Sequence, residues 1–435
     1  MNIAILGYGL EGQAAYSYWR NAGHSITVCD KNIDLVLPDD VQSQLGGDYL
    51  KGLDGFDVIV RSPGIHPGEI TTANDISTLR KVTSVTNEFL EMCPSRNIIG
   101  VTGTKGKGTT CTLITRMLEA AGKTVHLGGN IGTPALNLLG NNIQPDDWVV
   151  LELSSFQLID LKSSPNISVC LMVVPEHLNW HKDMAEYVTS KQQLFVWQTY
   201  DDIAIFYPDN EYSATIASAG NGAKVPYCED PGAMIIDGCI TIGGQEICDV
   251  TELQLLGEHN WQNACAAVTT AWQITHSVAA IKSVLTSFAG LPHRLELVRE
   301  LDGVKYYNDS FASTPDASIA ALQAIPDMKI VIVGGFDRNL PIDHFAHSLK
   351  QHADDIRKVL IIGASSERLS SACKDAGVEN MEIITSNDMQ EIVKKAQSYA
   401  ETDDAILLSP GFASFDMFKN FEDRGNQFKD AVNRL

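Results

Sequence analysis

The stretch Gly103-Thr104-Lys105-Gly106-Lys107-Gly108-Thr109 packs three glycines, two lysines and two hydroxyls into seven residues. Glycines let backbone N–H groups turn towards an anion, a lysine supplies a point charge, and a threonine hydroxyl can bind a hard cation. That is the chemistry of a polyphosphate cradle. Its flanks agree. Ile98–Val101 is an apolar run that reads as a buried strand. Leu113, Ile114, Met117, Leu118 and Ala121 recur on one helical face, and Gly122 supplies the stop. Strand, loop, lysine and helix in that order aim the loop amides and a helix N-terminus at one point. Lys107 then reaches the β- and γ-phosphates. The match to the usual spacing is imperfect, because Gly108 follows the lysine and the hydroxyl moves to Thr109.

Other residues could do chemistry elsewhere. Gly7-Tyr8-Gly9-Leu10-Glu11-Gly12 follows an apolar run, and Asp30 ends the next one, 18 residues past Gly12. This is a dinucleotide fingerprint, and taken alone it suggests a nicotinamide cofactor. Glu152 closes the run Val149-Val150-Leu151, where a charge is costly unless paired or metal-bound. His177 lies just past the run Ile167–Val174 and reads on its own as a structural histidine. Lys191 falls in the helical stretch Met184–Phe195 and reads on its own as a solvated surface lysine.

Positioning these groups takes many short strands. Asn2–Leu6, Ser25–Cys29, Val58–Val60, Ile98–Val101, Trp148–Leu153, Ile167–Val174, Ile203–Phe206, Ile330–Val333, Val359–Ile362 and Ala405–Leu408 read as buried strands that alternate with helical patterns. That predicts an α/β protein with parallel sheets covered by helices. Three blocks are expected: 1–92, ending in a helix over Val85–Met92; 93–290, with a hairpin over Met234–Ile247 and a last helix over Trp261–Thr275; and 291–435, opening on a hairpin turned at Asp302-Gly303.

Composition narrows the function. The chain has 435 residues, 44% of them hydrophobic and 20% charged, which suits a globular protein of several domains. With 32 basic and 54 acidic residues its formal charge is −22, which argues against nucleic-acid binding. The nine cysteines form no C-x-x-C, so buried reduced thiols are expected rather than disulfides or zinc. No apolar run approaches the roughly 20 residues that span a bilayer, and the N-terminus reads as untargeted. A cytoplasmic, monomeric protein without membrane insertion is expected.

The loop variant Gly-Thr-Lys-Gly-Lys-Gly-Thr resembles the ATP loop of the Mur ligase and folylpolyglutamate synthetase superfamily. Further segments resemble motifs of Mur ligases in the same order: Gly128-Gly129-Asn130-Ile131-Gly132, Leu151-Glu152-Leu153-Ser154-Ser155-Phe156-Gln157-Leu158, Gly257-Glu258-His259-Asn260, Leu291-Pro292-His293-Arg294-Leu295-Glu296, Asn308-Asp309-Ser310, Gly334-Gly335-Phe336-Asp337-Arg338 and Leu408-Ser409-Pro410 through Phe415–Phe421. The closest resemblance is to members that join D-glutamate to UDP-N-acetylmuramoyl-L-alanine. It implies three domains: a Rossmann-like UDP-sugar domain (1–92), a central P-loop ATPase with a parallel sheet (93–290), and a Rossmann-like amino-acid domain (291–435).

The resemblance also implies roles. ATP would be held by Gly103, Thr104, Lys105, Gly106, Lys107, Gly108, Thr109, Asn130, Asn260, Arg294 and Asp309, and the UDP-sugar by Gly9, Leu10, Glu11, Asp30, Ser62, Pro63 and Gly64. Magnesium would be bound by Thr109, Glu152, His177 and a carbamylated Lys191. Lys107, His177, Lys191 and Arg294 would serve catalysis. Arg338, Ser414 and Phe421 would meet the acceptor amino acid. The chain departs from the family at Phe311, where Asn-Asp-Ser is usually followed by lysine, and at Arg338, where lysine is usual. Arginine keeps the charge with a different geometry. These departures leave D-glutamate, L-glutamate or another amino acid as the acceptor.

Overall fold

A computed structural model describes every residue except 40, 256 and 339, and only the backbone of residue 258. The first sheet has five parallel strands, β1 (Asn2–Leu6), β2 (Ser25–Asp30), β3 (Gln42–Leu45), β4 (Val58–Arg61) and β5 (Val82–Thr83), in the order β3-β2-β1-β4-β5. The order reverses between β1 and β4, and such a switch point leaves a crevice at the carboxyl ends of the two strands. The second sheet has six parallel strands, β6 (Ile98–Thr102), β7 (Val125–Gly129), β8 (Trp148–Glu152), β9 (Ile167–Cys170), β10 (Ile203–Phe206) and β11 (Ala223–Pro226), in the order β11-β10-β9-β6-β8-β7. A small antiparallel sheet follows, β12 (Met234–Ile236), β13 (Cys239–Ile242) and β14 (Gln245–Asp249).

The last sheet has the order β15-β16-β20-β17-β18-β19, from β15 (Glu296–Leu301), β16 (Val304–Asn308), β17 (Lys329–Gly334), β18 (Ile356–Ile362), β19 (Met381–Ile383) and β20 (Ala405–Leu408). Only β15 runs antiparallel, joined to β16 by the expected turn, with Asp302 and Gly303 both at positive φ. The protein is thus α/β with parallel sheets. It divides into two compact units: Met1–Glu252 with Glu258–Ser287, and Leu253–Gly257 with Phe288–Leu435. The first two sheets share the first unit, where one apolar cluster joins Ile5, Trp19 and Phe89 to Ile98, Leu136 and Leu151.

Several expectations need correction. The strand over Ile167–Val174 stops at Cys170. Beyond it Thr104 takes over the backbone: its N–H donates to Met172 O at 2.9 Å, its hydroxyl donates to Val174 O at 3.1 Å, and Val174 N–H donates to that hydroxyl at 3.0 Å. The helix expected over Trp261–Thr275 spans Glu258–Trp272 instead. It is followed by a second, Val278–Ser287, which buries Ala280, Ile281, Val284 and Leu285. β3 was not expected at all. Gln-Ser-Gln-Leu has no apolar run, and as an edge strand it needs none, because it pairs only with β2. Of the nine cysteines, all unbonded, Cys228 and Cys239 are half-buried and the rest buried. Among the described residues no helix is long and apolar enough to cross a membrane.

Arg61 ends β4 with 0% exposure and ties the first sheet to the second. Its guanidinium grips both carboxyl oxygens of Asp160 at 2.7 Å and also donates to Phe156 O and Ile65 O, each at 2.9 Å. A bidentate pair with every N–H engaged compensates for dehydrating the cation, whereas removing one partner strands the other. Arg61→Ala should therefore lower the unfolding free energy by about 3 kcal/mol. Urea denaturation followed by tryptophan fluorescence would check this, and a loss below about 1 kcal/mol, the scale of a surface pair, would refute the bridging role.

Candidate functional site

Three loops leave the carboxyl ends of the adjacent strands β8, β6 and β9. The glycine-rich loop follows β6, and its helix, Lys107–Ala120, starts at Gly106. Gly106 lies at φ +83, and a Cβ there would stand 2.1 Å from Asn263 Oδ1. Only glycine lets the loop pack against Asn263, whose amide donates to Asn260 Oδ1 at 3.0 Å. Asn260 is thereby held beside the loop.

Two lysines converge on this loop. Lys107 Nζ donates to Gly103 O at 3.1 Å and to Thr104 O at 2.9 Å. Lys191 Nζ donates to the same Gly103 O at 3.0 Å and to Thr102 Oγ1 at 3.3 Å, and it sits 4.6 Å from the centre of the Tyr187 ring. The reading of Lys191 as a surface residue is wrong: it is 1% exposed. Its helix, Met184–Val196, turns Tyr187, Lys191 and Leu194 inward together. Burial, and then the neighbouring charge of Lys107, push the Lys191 amine down to about 7. A buried amine of that pKa is in large part unprotonated, and therefore nucleophilic, at neutral pH.

Glu152, at the end of β8, is 5% exposed, and its Oε1 accepts from Asn130 Nδ2 at 2.9 Å. His177 lies at φ +58 beyond β9, against the Phe156 ring at 4.8 Å and 3.6 Å from Glu176. Burial lowers its pKa, Glu176 opposes this, and Lys107, Lys191 and Lys105 add to it. Lys105 points to Glu176 at 2.7 Å, which leaves only its backbone for the loop. Thr109 lies in the first turn of the loop helix and is 9% exposed. Among the described residues no three His, Cys, Asp or Glu form a metal site. A cation here would draw on the Glu152 carboxylate and the His177 imidazole, completed by other donors such as the Thr109 hydroxyl and an oxygen-bearing form of Lys191. Such an oxygen-rich set suits a hard divalent cation.

The fingerprint residues line a separate cavity of about 530 Å³ at the switch point of the first sheet, with Gly9, Leu10, Glu11, Asp30, Ser62, Pro63 and Gly64 in its wall. A Cβ on Gly12 would stand 2.0 Å from Gly7 O, so glycine is required there. Asp30 braces the turn by accepting from Tyr8 N–H at 2.9 Å. The helix Leu10–Asn21 begins at Gly9 without a side-chain cap, so its first amides face the cavity side of the turn. Asn130 lines this cavity while bonded to Glu152, which places it between the two regions.

In the second unit Asp309 follows β16, buried, accepting from Ser409 Oγ at 2.7 Å and from Leu295 N–H at 3.1 Å. Burial pushes its carboxyl up to about 7. The Arg294 guanidinium lies over the Phe311 ring at 3.8 Å, and that ring meets Phe421 edge-on at 5.1 Å. Phe311 thus joins Arg294 and Phe421 in one cluster. Ser414 is buried at 2% exposure, and Arg338 lies 5.9 Å from the Phe415 ring. Sequence reasoning missed Arg61, Tyr187, Gln157 and Asn263. Arg61 was detectable by the logic applied to Glu152, a charge closing an apolar strand, and Tyr187 by its place four residues before Lys191.

Comparison with known proteins bears on what this arrangement is. Residues 101–271 match the family described as Mur ligase middle domain, and residues 293–412 match that described as Mur ligase, glutamate ligase domain. A protein of Acetivibrio thermocellus named UDP-N-acetylmuramoylalanine–D-glutamate ligase is 37% identical over 100% of this chain and 96% of its own length. The solved structure of UDP-N-acetylmuramate-alanine ligase from Thermotoga maritima shares the fold at 15% identity, with a TM-score of 0.62 over 100% of this chain and 99% of that one. A MurF ligase structure from the same organism, in complex with ADP, matches at 18% identity and a TM-score of 0.60, covering 99% and 94%. With the phosphate loop, the switch-point cavity and a full-length relative in agreement, the chain belongs to the Mur ligase family.

Proposed function

We propose that the chain is an ATP-dependent, ADP-forming ligase that adds D-glutamate to UDP-N-acetylmuramoyl-L-alanine in peptidoglycan precursor synthesis, and so serves cell-wall biogenesis. The observation that carries the phosphoryl-transfer half is the convergence of Lys107 and Lys191 on the Gly103 carbonyl, beside the buried Glu152. The relatives' name supports the acceptor. In this reading residues 1–92 take the UDP-sugar, 93–290 take ATP, and 291–435 take the amino acid.

Amide formation from a free carboxylate is uphill in water, so the carboxylate must first gain a leaving group. An alanyl carboxylate oxygen attacks the γ-phosphorus of ATP, the bond to ADP breaks, and an acyl phosphate forms. The amine of the amino acid then attacks the acyl carbon, phosphate leaves, and the nitrogen loses its proton. The protein's part is positioning and charge neutralisation. Lys107 and the loop amides hold the phosphates, and Asn130 and Asn260 flank them. Glu11, Asp30 and Ser62–Gly64 hold the UDP-sugar. Thr109, Glu152, His177 and carbamylated Lys191 would hold Mg²⁺, which supplies further charge neutralisation when bound. In the second unit Arg294 and Asp309 are nucleotide contacts, and Arg338, Ser414 and Phe421 are acceptor contacts.

Phe311 favours a second reading, the same chemistry with L-glutamate, because a neutral ring stands where the family usually has a cation. Phosphate release with ATP, Mg²⁺ and UDP-N-acetylmuramoyl-L-alanine should occur with D-glutamate and not with L-glutamate; the reverse would establish the second reading, and no release with any amino acid would refute both. Lys107→Ala should lower kcat by about 100-fold or more, and near-normal kcat at saturating ATP would contradict its role. Activity should also fall when dissolved CO₂ and bicarbonate are stripped, and return on their addition. Indifference to bicarbonate would refute carbamylation of Lys191.

A further inference from the structure

Arg338 sits on a loop whose backbone is fixed on both sides of it. Gly335 N–H donates to Ser365 Oγ at 3.1 Å, and Ser365 N–H donates to Gly335 O at 2.9 Å. Phe336 N–H donates to Ala413 O at 2.9 Å. Asp337 accepts from Arg368 Nη1 with both carboxyl oxygens, at 2.6 and 2.8 Å, and Arg368 Nη2 donates to Leu340 O. Ser365 caps and Arg368 begins the helix Ser366–Asp375. One helix start therefore holds the loop at Gly335, Asp337 and Leu340.

Arg338 itself is left unengaged. Its side chain is exposed, its guanidinium carbon lies 5.9 Å from the centre of the Phe415 ring, and among the described residues it has no carboxylate partner. The acid beside it in sequence, Asp337, is taken by Arg368. An unpaired Asp337 would compete for the Arg338 guanidinium and repel an incoming carboxylate. A charge-assisted pair to both of its oxygens suppresses the two effects together. As a stabilising contact the pair counts for little, because the Arg368 side chain is 38% exposed. Its consequence lies in the loop and in the charge next to Arg338. An arginine fork grips a carboxylate through two parallel hydrogen bonds, and so needs a fixed orientation where an ammonium would not.

We propose that Arg368 is a positioning residue for acceptor binding: by neutralising Asp337 and pinning the loop from 335 to 340, it keeps the Arg338 guanidinium available to a carboxylate of the incoming amino acid. The inference rests on the reading of Arg338 as an acceptor contact. Arg368 touches no substrate and acts only through Asp337, Leu340 and Arg338.

Steady-state kinetics of the full chain test this, with ATP and UDP-N-acetylmuramoyl-L-alanine saturating and D-glutamate varied. Arg368→Gln keeps N–H donors for Asp337 and loses the charge, so it should raise the KM for D-glutamate by about tenfold. Its kcat, and its KM for the other two substrates, should stay near those of wild type. Arg368→Ala also releases the loop and should raise the KM for D-glutamate further. Adding Asp337→Asn to Arg368→Gln should bring that KM part of the way back, because the uncompensated carboxylate is gone. A merely structural brace would not be repaired by a second deletion. A wild-type KM in Arg368→Gln, a fall in kcat with KM unchanged, or a double variant no better than Arg368→Gln would overturn the role of Arg368. Arg338→Ala separates this from the reading beneath it. It should raise the KM for D-glutamate as well; if it does not, the acceptor contact at Arg338 falls and the inference with it.

Discussion

Two lysine side-chain nitrogens share the carbonyl oxygen of Gly103, and the site is arranged around that sharing. Lys191 is buried, and its hydrogen-bond partners among the described residues are a hydroxyl and a carbonyl rather than a carboxylate. Like charges close together in a dehydrated pocket disfavour each other, and the effect shows in the depressed pKa of Lys191. The arrangement becomes favourable when an anion arrives or when one lysine gives up its charge. In the proposed function a triphosphate would supply the first and carbamylation of Lys191 the second.

Sheet topology puts these groups together. Both parallel sheets of the first unit place their loops at carboxyl ends, one at the β1–β4 switch and one across β8, β6 and β9. Arg61, through Asp160 and Phe156, fixes one sheet against the other, so the fingerprint cavity and the phosphate loop keep a defined relation. Asn130 lies between them, bonded to Glu152 and lining the cavity. In the proposed function this frame would set the distance from a UDP-bound sugar to the phosphate loop.

What the sequence revealed was mainly local. The phosphate loop, the fingerprint, the Asp302-Gly303 turn and the buried strands each carry their signal within a few neighbouring residues. The misses are non-local. Lys191 is buried by Thr102 and Gly103, about 90 positions away, and in its own helix only its shared face with Tyr187 and Leu194 hints at this. Gln157 meets Glu11 across 146 positions. The end of β9 was misplaced because Thr104, from another loop, takes the backbone bonds that a continuing strand would use. Phe311 looked like a lost cation. In the fold its ring carries the Arg294 guanidinium, so a charge remains at that cluster.

In the proposed mechanism the carboxylate is activated by phosphorylation before the amine attacks. This activation is tested most directly by labelling the alanyl carboxylate of UDP-N-acetylmuramoyl-L-alanine with ¹⁸O and analysing the phosphate released during turnover with D-glutamate. Acyl-phosphate chemistry transfers a carboxylate oxygen to the phosphorus, so the released phosphate should carry one labelled oxygen. Phosphate free of label, formed alongside the amide product, would contradict the account.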